Sequence, residues 1–349
     1  MAKTPRWSYA RAGVDRNDVS DSLAALLAGT RYRPSPRSGR LLDLPGHYAG
    51  LVRIGSETLA VTTDTVGTKV VLAEELGSWE GVGEDVVQVN VNDLAAVGAR
   101  PSVLVDCILC ARPDPKVFAA IGRGIGRGLK RAQVALAGGE TAVVPDIVRG
   151  TDLGGTAVGF FPGRRRPVTG DRIRAGDVVL GIPASGFHAN GYTLLRKLLR
   201  ARSVDVRRPR PGARRPLGEE LLRPGRIYVD ASEAVADLST THGLAHISGG
   251  GVRNLVRLNP NVRFELDGWP SAAGVYRWVA DLGEIDPAEL YQTFNLGIGF
   301  VAVVAATAVD PTRRRLAAAG VRDSRVVGRV ISGEGVSLPH LGLEYHGYA

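Results

Sequence analysis

The chain alternates short apolar runs with longer stretches of helical spacing. Apolar runs at 58–62, 103–109, 133–137 and 155–161 predict strands. Helical patterns lie between them at 85–97 and 114–132. Asp85 with Gln88 three residues later suits a capping box at the start of the first helix. The second carries Ala120, Gly124, Gly128 and Ala132 at four-residue spacing, a small-residue stripe that predicts close packing on a sheet. The stretch 163–171, GRRRPVTGD, reads as a linker. Beyond it, strands are predicted at 178–182, 262–266, 298–305 and 325–331, and helices at 190–201, 229–238, 273–282 and 310–319. Before about Gly50 only 20–27 has a helical pattern, and the rest, rich in Arg, Pro, Ser and Gly, reads as a mobile arm. Mixed strands and helices in both halves give an α/β or α+β class. The expected division is an arm (1–50), an N-terminal domain (51–163) and a C-terminal domain (164–349).

Composition changes this picture little. A chain of 349 residues with 44% hydrophobic and 23% charged residues suits two globular domains. No apolar run reaches the ~18 residues of a membrane span, and the first residues lack a signal-peptide pattern, so the cytoplasm is expected. The formal net charge of +9 raises the question of nucleic acid. Much of it sits in Arg164 to Arg166 and in nine arginines between Arg200 and Arg226. Prolines run through the second stretch and few aromatics are interleaved to stack bases, so it reads as a solvated surface loop, with neither nucleic acid nor membrane as partner. Cys107 and Cys110 have CxxC spacing. Three residues apart on a strand they face opposite sides, and a structural zinc needs four ligands, so they read as small core residues.

Five polar, glycine-bearing segments stand where strands end or helices begin. In TDTVGTK (63–69), Asp64 is a candidate Mg²⁺ ligand, Gly67 admits a phosphate close to the backbone, Thr68 adds a hydroxyl and Lys69 a cation. Alone, the segment reads equally as a capped turn, and it is not a Walker A loop. In QVNVNDL (88–94), Asn90 and Asp93 share a helix face with Asn92 adjacent, either a site or an exposed polar stripe. AGGETA (137–142) offers Gly138, Gly139, Glu140 and Thr141 as a phosphate and metal cradle, or as a tight turn. SGFHANG (185–191) places Ser185, Gly186, His188 and Asn190 at a helix start, where free amides bind anions. AHISGGG (245–251) sets His246 beside Gly249, Gly250 and Gly251, a run expected to be disordered unless a ligand needs bare backbone. TFNLGIG (293–299) opens a strand with Asn295.

In this order and spacing the segments resemble the AIR synthetase (phosphoribosylformylglycinamidine cyclo-ligase) family, from YARAGVD (9–15) to TFNLGIG, nearly the whole chain. The resemblance implies two α/β domains, with N-terminal domains pairing into a β-barrel across a homodimer and a C-terminal mixed sheet with helices. It implies a ligase of purine biosynthesis that uses ATP and Mg²⁺ to close formylglycinamidine ribonucleotide into aminoimidazole ribonucleotide through an iminophosphate. Matching residues imply Asp64, Asp93 and Glu140 as metal acids, and Asp64, Gly67, Thr68, Lys69, Asp93, Gly138, Gly139, Glu140 and Thr141 around ATP. They imply Asn92, Ser185, Gly186, His188, Asn190, Gly249, Gly250, Gly251 and Asn295 around the substrate, with Asp64, Lys69, His188 and His246 in the chemistry.

The family usually has Gly where Thr65 stands and Ser where Ala189 stands. The glycine-rich stretch of bacterial members is missing, which places the chain nearer an archaeal-type branch. The N-terminal lysine of the family has no counterpart either, with Arg31 or Arg33 as candidate substitutes. The alternatives are another ATP-using relative, such as a thiamine-monophosphate kinase, or a paralogue that binds nucleotide without turnover.

Overall fold

The computed structural model describes residues 6–30, 39–42, 44 and 46–348. Arg31 and Arg33 lie outside them. Two sheets organise the chain. The first runs in the order β1-β2-β3-β6-β4-β5 and is built from β1 (Arg40–Leu42), β2 (Gly50–Ile54), β3 (Glu57–Thr65), β4 (Arg100–Cys110), β5 (Ala135–Val143) and β6 (Thr151–Phe160). All its pairings are antiparallel except β4–β5, which are joined by the crossover helix α4 (Pro115–Ala132). The second runs β13-β12-β9-β11-β7-β10-β8, from β7 (Val178–Pro183), β8 (Thr241–His246), β9 (Arg263–Glu265), β10 (Ile298–Val304), β11 (Arg325–Ile331), β12 (Gly335–Leu338) and β13 (Leu343–Tyr345). Among the described residues no helix is long and apolar enough to cross a membrane.

Between the sheets lies α3, Glu80–Ala95, enclosed along nearly its whole length. It starts five residues earlier than the capping pattern predicts, so Asp85 is an interior residue with no exposure rather than a cap. The reason is tertiary. The helix touches the first sheet, α4, and on its far side β8 and α7 (Val229–Val235) of the second unit. The small-residue stripe of α4 meets this helix and not a sheet. A Cβ on Gly124 would fall 2.0 Å from Glu80 O, and one on Gly83 would fall 2.3 Å from Ile121 O, so the two backbones touch only through glycine.

The expected arm is partly pinned. Tyr9 N–H donates to Glu289 (2.9 Å), Lys197 to Ala12 O (2.5 Å) and Arg16 to Thr293 Oγ1 (2.9 Å), which fixes 9–16 onto the second unit. The helical pattern there becomes α1, Arg16–Gly29, capped by Asp15. Cys110 is buried and Cys107 half-buried in β4, in keeping with a structural reading of both.

Candidate active site at the joint between the two units

The end of β3 delivers Asp64 and the last turn of α3 delivers Asp93. Asn90 fixes the first. Its Oδ1 accepts from Asp64 N–H (3.0 Å) and its Nδ2 donates to Asp64 O (3.3 Å), so the helix grips the strand on both sides of this residue. The Asp64 carboxylate accepts from Thr65 N–H at 2.7 Å. Burial, and then the negative charge of Asp93, push Asp64 up to about 6. Thr65 is tolerated because Gly154 lies across the ladder, where a Cβ would sit 3.1 Å from the threonine methyl.

Glu140 does not join this pair within one chain. The AGGETA segment continues β5 as an exposed edge strand instead of turning after it. The register Asp64–Gly155–Asp106–Gly139 puts three strand spacings between the two sites, about 14 Å. No group of three His, Cys, Asp or Glu able to hold a metal occurs among the described residues. Asp64 and Asp93 alone fit Mg²⁺, since this hard cation takes one or two carboxylates and completes its shell with water and substrate phosphates. An Asp64 carboxylate held reluctantly as an anion is the kind of donor that a cation would relieve.

Behind the acids stand two enclosed histidines. His246 Nδ1 meets Asp93 Oδ1 at 2.8 Å, and its Nε2 meets Gln88 Nε2 at 3.3 Å. The carboxylate accepts at Nδ1 and the Gln88 amide faces Nε2, so both ring nitrogens have a polar neighbour. His188 stacks 6.5 Å away and is held in the left-handed region at φ 58°. Its Nε2 accepts from Ser185 N–H (3.4 Å), and its buried Nδ1 has no hydrogen-bond partner. Burial, His246, Lys69 and Arg226 hold His188 well below the usual histidine range. Both rings are closed off from solvent, His188 at 1% exposure and His246 at 0%, so they face each other across the joint rather than an open cleft.

Lys69 departs furthest from expectation. Its side chain is wholly enclosed, and three oxygens surround the ammonium: Asp85 Oδ2 (2.6 Å), His188 O (2.8 Å) and Arg223 O (2.8 Å). Three acceptors match three ammonium protons, which leaves none for a phosphate. This lysine braces the two units.

The brace is part of a larger clamp that the sequence pattern does not reveal. Gly225 N–H donates to Asp85 (2.7 Å), Asn92 donates to Arg226 O (2.9 Å) and accepts from Tyr228 N–H (2.8 Å), and Ser185 Oγ donates to Pro224 O (2.7 Å). Asn92 and Ser185 therefore hold backbone, not substrate. The end of the arginine-rich stretch, read as a solvated loop, is the strap they hold. Asp85, Gln88 and Asn92 recur at helical spacing inside an apolar helix, and that was the available signal for a buried polar seam.

The glycine segments divide. Asn190 and Gly249 approach each other, with 3.1 Å between Asn190 Oδ1 and a Cβ built on Gly249, so two predicted loops meet here. Gly250 and Gly251 are glycines for want of room, beside Tyr348 and Tyr291 O (2.7 and 2.0 Å from a built Cβ). Asn295 is spent on Gly186 O (2.9 Å), Gly297 N–H (2.9 Å) and the Tyr276 hydroxyl (2.6 Å). Gly67, at φ 65°, faces open space, and Thr68 shares a 2.9 Å hydrogen bond with Thr193. Gly138, Gly139 and Thr141 are exposed on β5 with Glu140.

Comparison with known proteins gives the same architecture a family. Residues 46–161 match the model "AIR synthase related protein, N-terminal domain" and 174–340 the corresponding C-terminal domain. A phosphoribosylformylglycinamidine cyclo-ligase of Thermococcus kodakarensis is 43% identical over 85% of this chain and 88% of its own. One from Thermococcus gammatolerans is 39% identical over 97% and 99%. Among solved structures, a thiamine-monophosphate kinase from Stenotrophomonas maltophilia covers 87% of this chain and 92% of its own at TM-score 0.64 and 22% identity, a likeness of fold. AaThiL, complexed with AMPPCP and TMP, has TM-score 0.63 at 20% identity over 88% of this chain and 92% of its own. With both domain models matched in order over most of its length, the chain belongs to the AIR synthase related protein family.

Proposed function

We propose that this chain is a phosphoribosylformylglycinamidine cyclo-ligase, which closes formylglycinamidine ribonucleotide to 5-aminoimidazole ribonucleotide with ATP in purine biosynthesis. The observation that carries the reading is the convergence of Asp64, Asp93, His246 and His188 at one joint between the family's two domains, beside relatives of 39–43% identity that bear this name. ATP phosphorylates the formyl oxygen, the amidine nitrogen attacks the activated carbon, and phosphate leaves with that oxygen. Bound Mg²⁺ would offset the charge of the transferring phosphoryl group.

Asp64 and Asp93 would hold that charge centre in place, the first gripped by Asn90 and the second by His246. The open backbone at Gly67 suits the approach of a nucleotide phosphate. The attacking nitrogen sheds a proton during closure, and the Asp93–His246 pair offers a route for it, oriented by Gln88. Asn190 and Gly249 would meet the substrate where their loops converge.

The test is ADP release from ATP that depends on formylglycinamidine ribonucleotide, followed with thiamine monophosphate as the competing acceptor. Release with the first and none with the second is expected. Release only with the second would favour the kinase reading, and nucleotide binding without either would leave a non-catalytic paralogue.

A homodimer belongs to the same proposal. The sheet face opposite α3 carries Leu59, Val61, Val105, Val158 and Phe160, with Val105 38% and Phe160 37% exposed, and no element of this chain covers it among the described residues. Pairing of two such faces would remove this surface from water. Val105→Asp with Phe160→Asp is expected to halve the mass measured by sedimentation equilibrium, and an unchanged mass would reject this face as the interface.

A further inference from the structure

A cavity of about 480 Å³ opens beside the Ser185–Gly186 turn, which the family resemblance sets near the substrate, and nothing above gives a role to the arginines that line it. Three guanidiniums, Arg214, Arg215 and Arg223, line it. Several arginines elsewhere on the surface are taken up by carboxylates, as Arg123 and Arg127 are by Glu80 and Arg131 is by Glu84. Arg214 and Arg215 have no ion pair or hydrogen bond among the described residues, and Arg223 donates to Ser185 O at 3.3 Å. Two carboxylates share the wall. Glu220 is spent on Arg210 (2.9 and 3.1 Å), which leaves Glu219 as the one opposing charge. The cavity therefore carries a net excess of fixed positive charge around empty space.

Its backbone wall is bare. Gly186 at φ 151° and Gly297 at φ 93° line it, and a Cβ at either would meet nothing within 4 Å. Glycine is required there by backbone conformation, and its result is open main chain facing the cavity. Tyr276 also lines it.

The wall is shared with the joint. Ser185 N–H meets His188 Nε2, Ser185 O takes Arg223, and Arg223 O takes Lys69. A ligand anchored in the cavity thus ends one turn of chain from His188.

We propose that this cavity holds the phosphate monoester of the ribonucleotide substrate. The proposal rests on the cyclo-ligase reading. That substrate carries a terminal phosphate that takes no part in the chemistry and is close to a dianion at neutral pH. Planar guanidinium forks match its oxygens and need no metal. The phosphates of ATP would be held apart from it, by the Mg²⁺ that Asp64 and Asp93 would carry. The volume lies within the range of small-ligand pockets, roughly 300–1,000 Å³. Arg214, Arg215 and Arg223 anchor the substrate, and the glycine backbone allows its sugar to lie close.

Calorimetric titration with ribose 5-phosphate, without ATP, reads the cavity independently of turnover. The wild-type chain binds ribose 5-phosphate and not ribose. The double variant Arg214→Ala/Arg215→Ala binds it about tenfold or more weakly, the loss of one strong charged contact. Both side chains are exposed, so the melting temperature of the variant stays that of the wild type. Affinity for a non-hydrolysable ATP analogue changes less than about twofold, and in turnover the Michaelis constant for the ribonucleotide rises while kcat holds, the mark of an interaction made equally in ground and transition states. Failure of the wild type to bind ribose 5-phosphate, unchanged affinity in the double variant, or loss of the ATP analogue in place of the sugar phosphate would each overturn the assignment. If instead the wild-type chain shows no ribonucleotide-dependent ADP release, the reaction is wrong, and the ribose 5-phosphate titration still judges the cavity.

Discussion

Asp64→Asn is expected to abolish turnover and to stabilise the fold at the same time. The two effects share one cause. The carboxylate sits half-buried beside Asp93, and its affinity for a proton is raised to about 6 from an ordinary value of 3.8. A carboxylate whose folded value is raised imposes a penalty that is complete above the folded value and vanishes below the unfolded one. Between about pH 6 and 4 the penalty fades as the folded state takes up its proton. Asn removes the charge at nearly constant volume and keeps the grip of Asn90, which acts on the backbone. The variant should therefore gain about 1–2 kcal/mol at pH 8 and nothing at pH 4. Ligand-free protein unfolded in urea at both pH values measures this, and a variant less stable than wild type at pH 8 would show that the carboxylate is not held at a cost. Turnover should fall by about 10²–10³-fold or more, the usual loss when a fixed charge stabiliser is removed. Near-normal turnover would remove Asp64 from the machinery.

Lys69→Met should be the most destabilising single change at the joint. It leaves the Asp85 carboxylate fully enclosed, with Gly225 N–H as its remaining partner, and it frees two buried carbonyls of His188 and Arg223. Breaking a buried ion pair by removing one partner costs about 3–5 kcal/mol, whereas replacing both with apolar groups is often close to neutral. The double variant Lys69→Met/Asp85→Leu should accordingly recover much of the loss. Urea midpoints of the wild type, both single variants and the double variant form the cycle that measures this coupling. A phosphate-binding lysine would behave differently, with stability kept, activity lost and no coupling to Asp85. Loss of less than about 1 kcal/mol in Lys69→Met would sink the brace.

Much of the organisation was legible. The strand-like run at 103–109 falls within β4, and the run at 155–161 and the helical pattern at 114–132 fall in β6 and α4 but for one residue each, because long apolar periodicity is a local property that packing rewards. The candidate segments were legible as positions, and Asp64, Asp93, His188 and His246 do come together. Roles were less so. Lys69, Asn92, Ser185 and Asn295 carry the residue types of a ligand site but are consumed in holding backbone, the first two across the joint and the last two within the second unit. Glu140 shares the spacing of a cradle but stands on an edge strand about three strand spacings away.

The amino-acid sequence by itself determined where strands and helices form, which segments carry acids, histidines and bare glycine backbone, and through their joint order the family. Tertiary structure alone decided which polar groups are spent and which are left over. A polar side chain set in an apolar helix must find a partner or pay for its burial. For Asp85, Gln88 and Asn92 the partners are Lys69, His246 and the backbone at Gly225–Tyr228, all distant in the chain. Only when those partners are in place does the Asp64 carboxylate stand out as an anion held at a cost, and the guanidiniums of Arg214 and Arg215 as charges with no partner among the described residues.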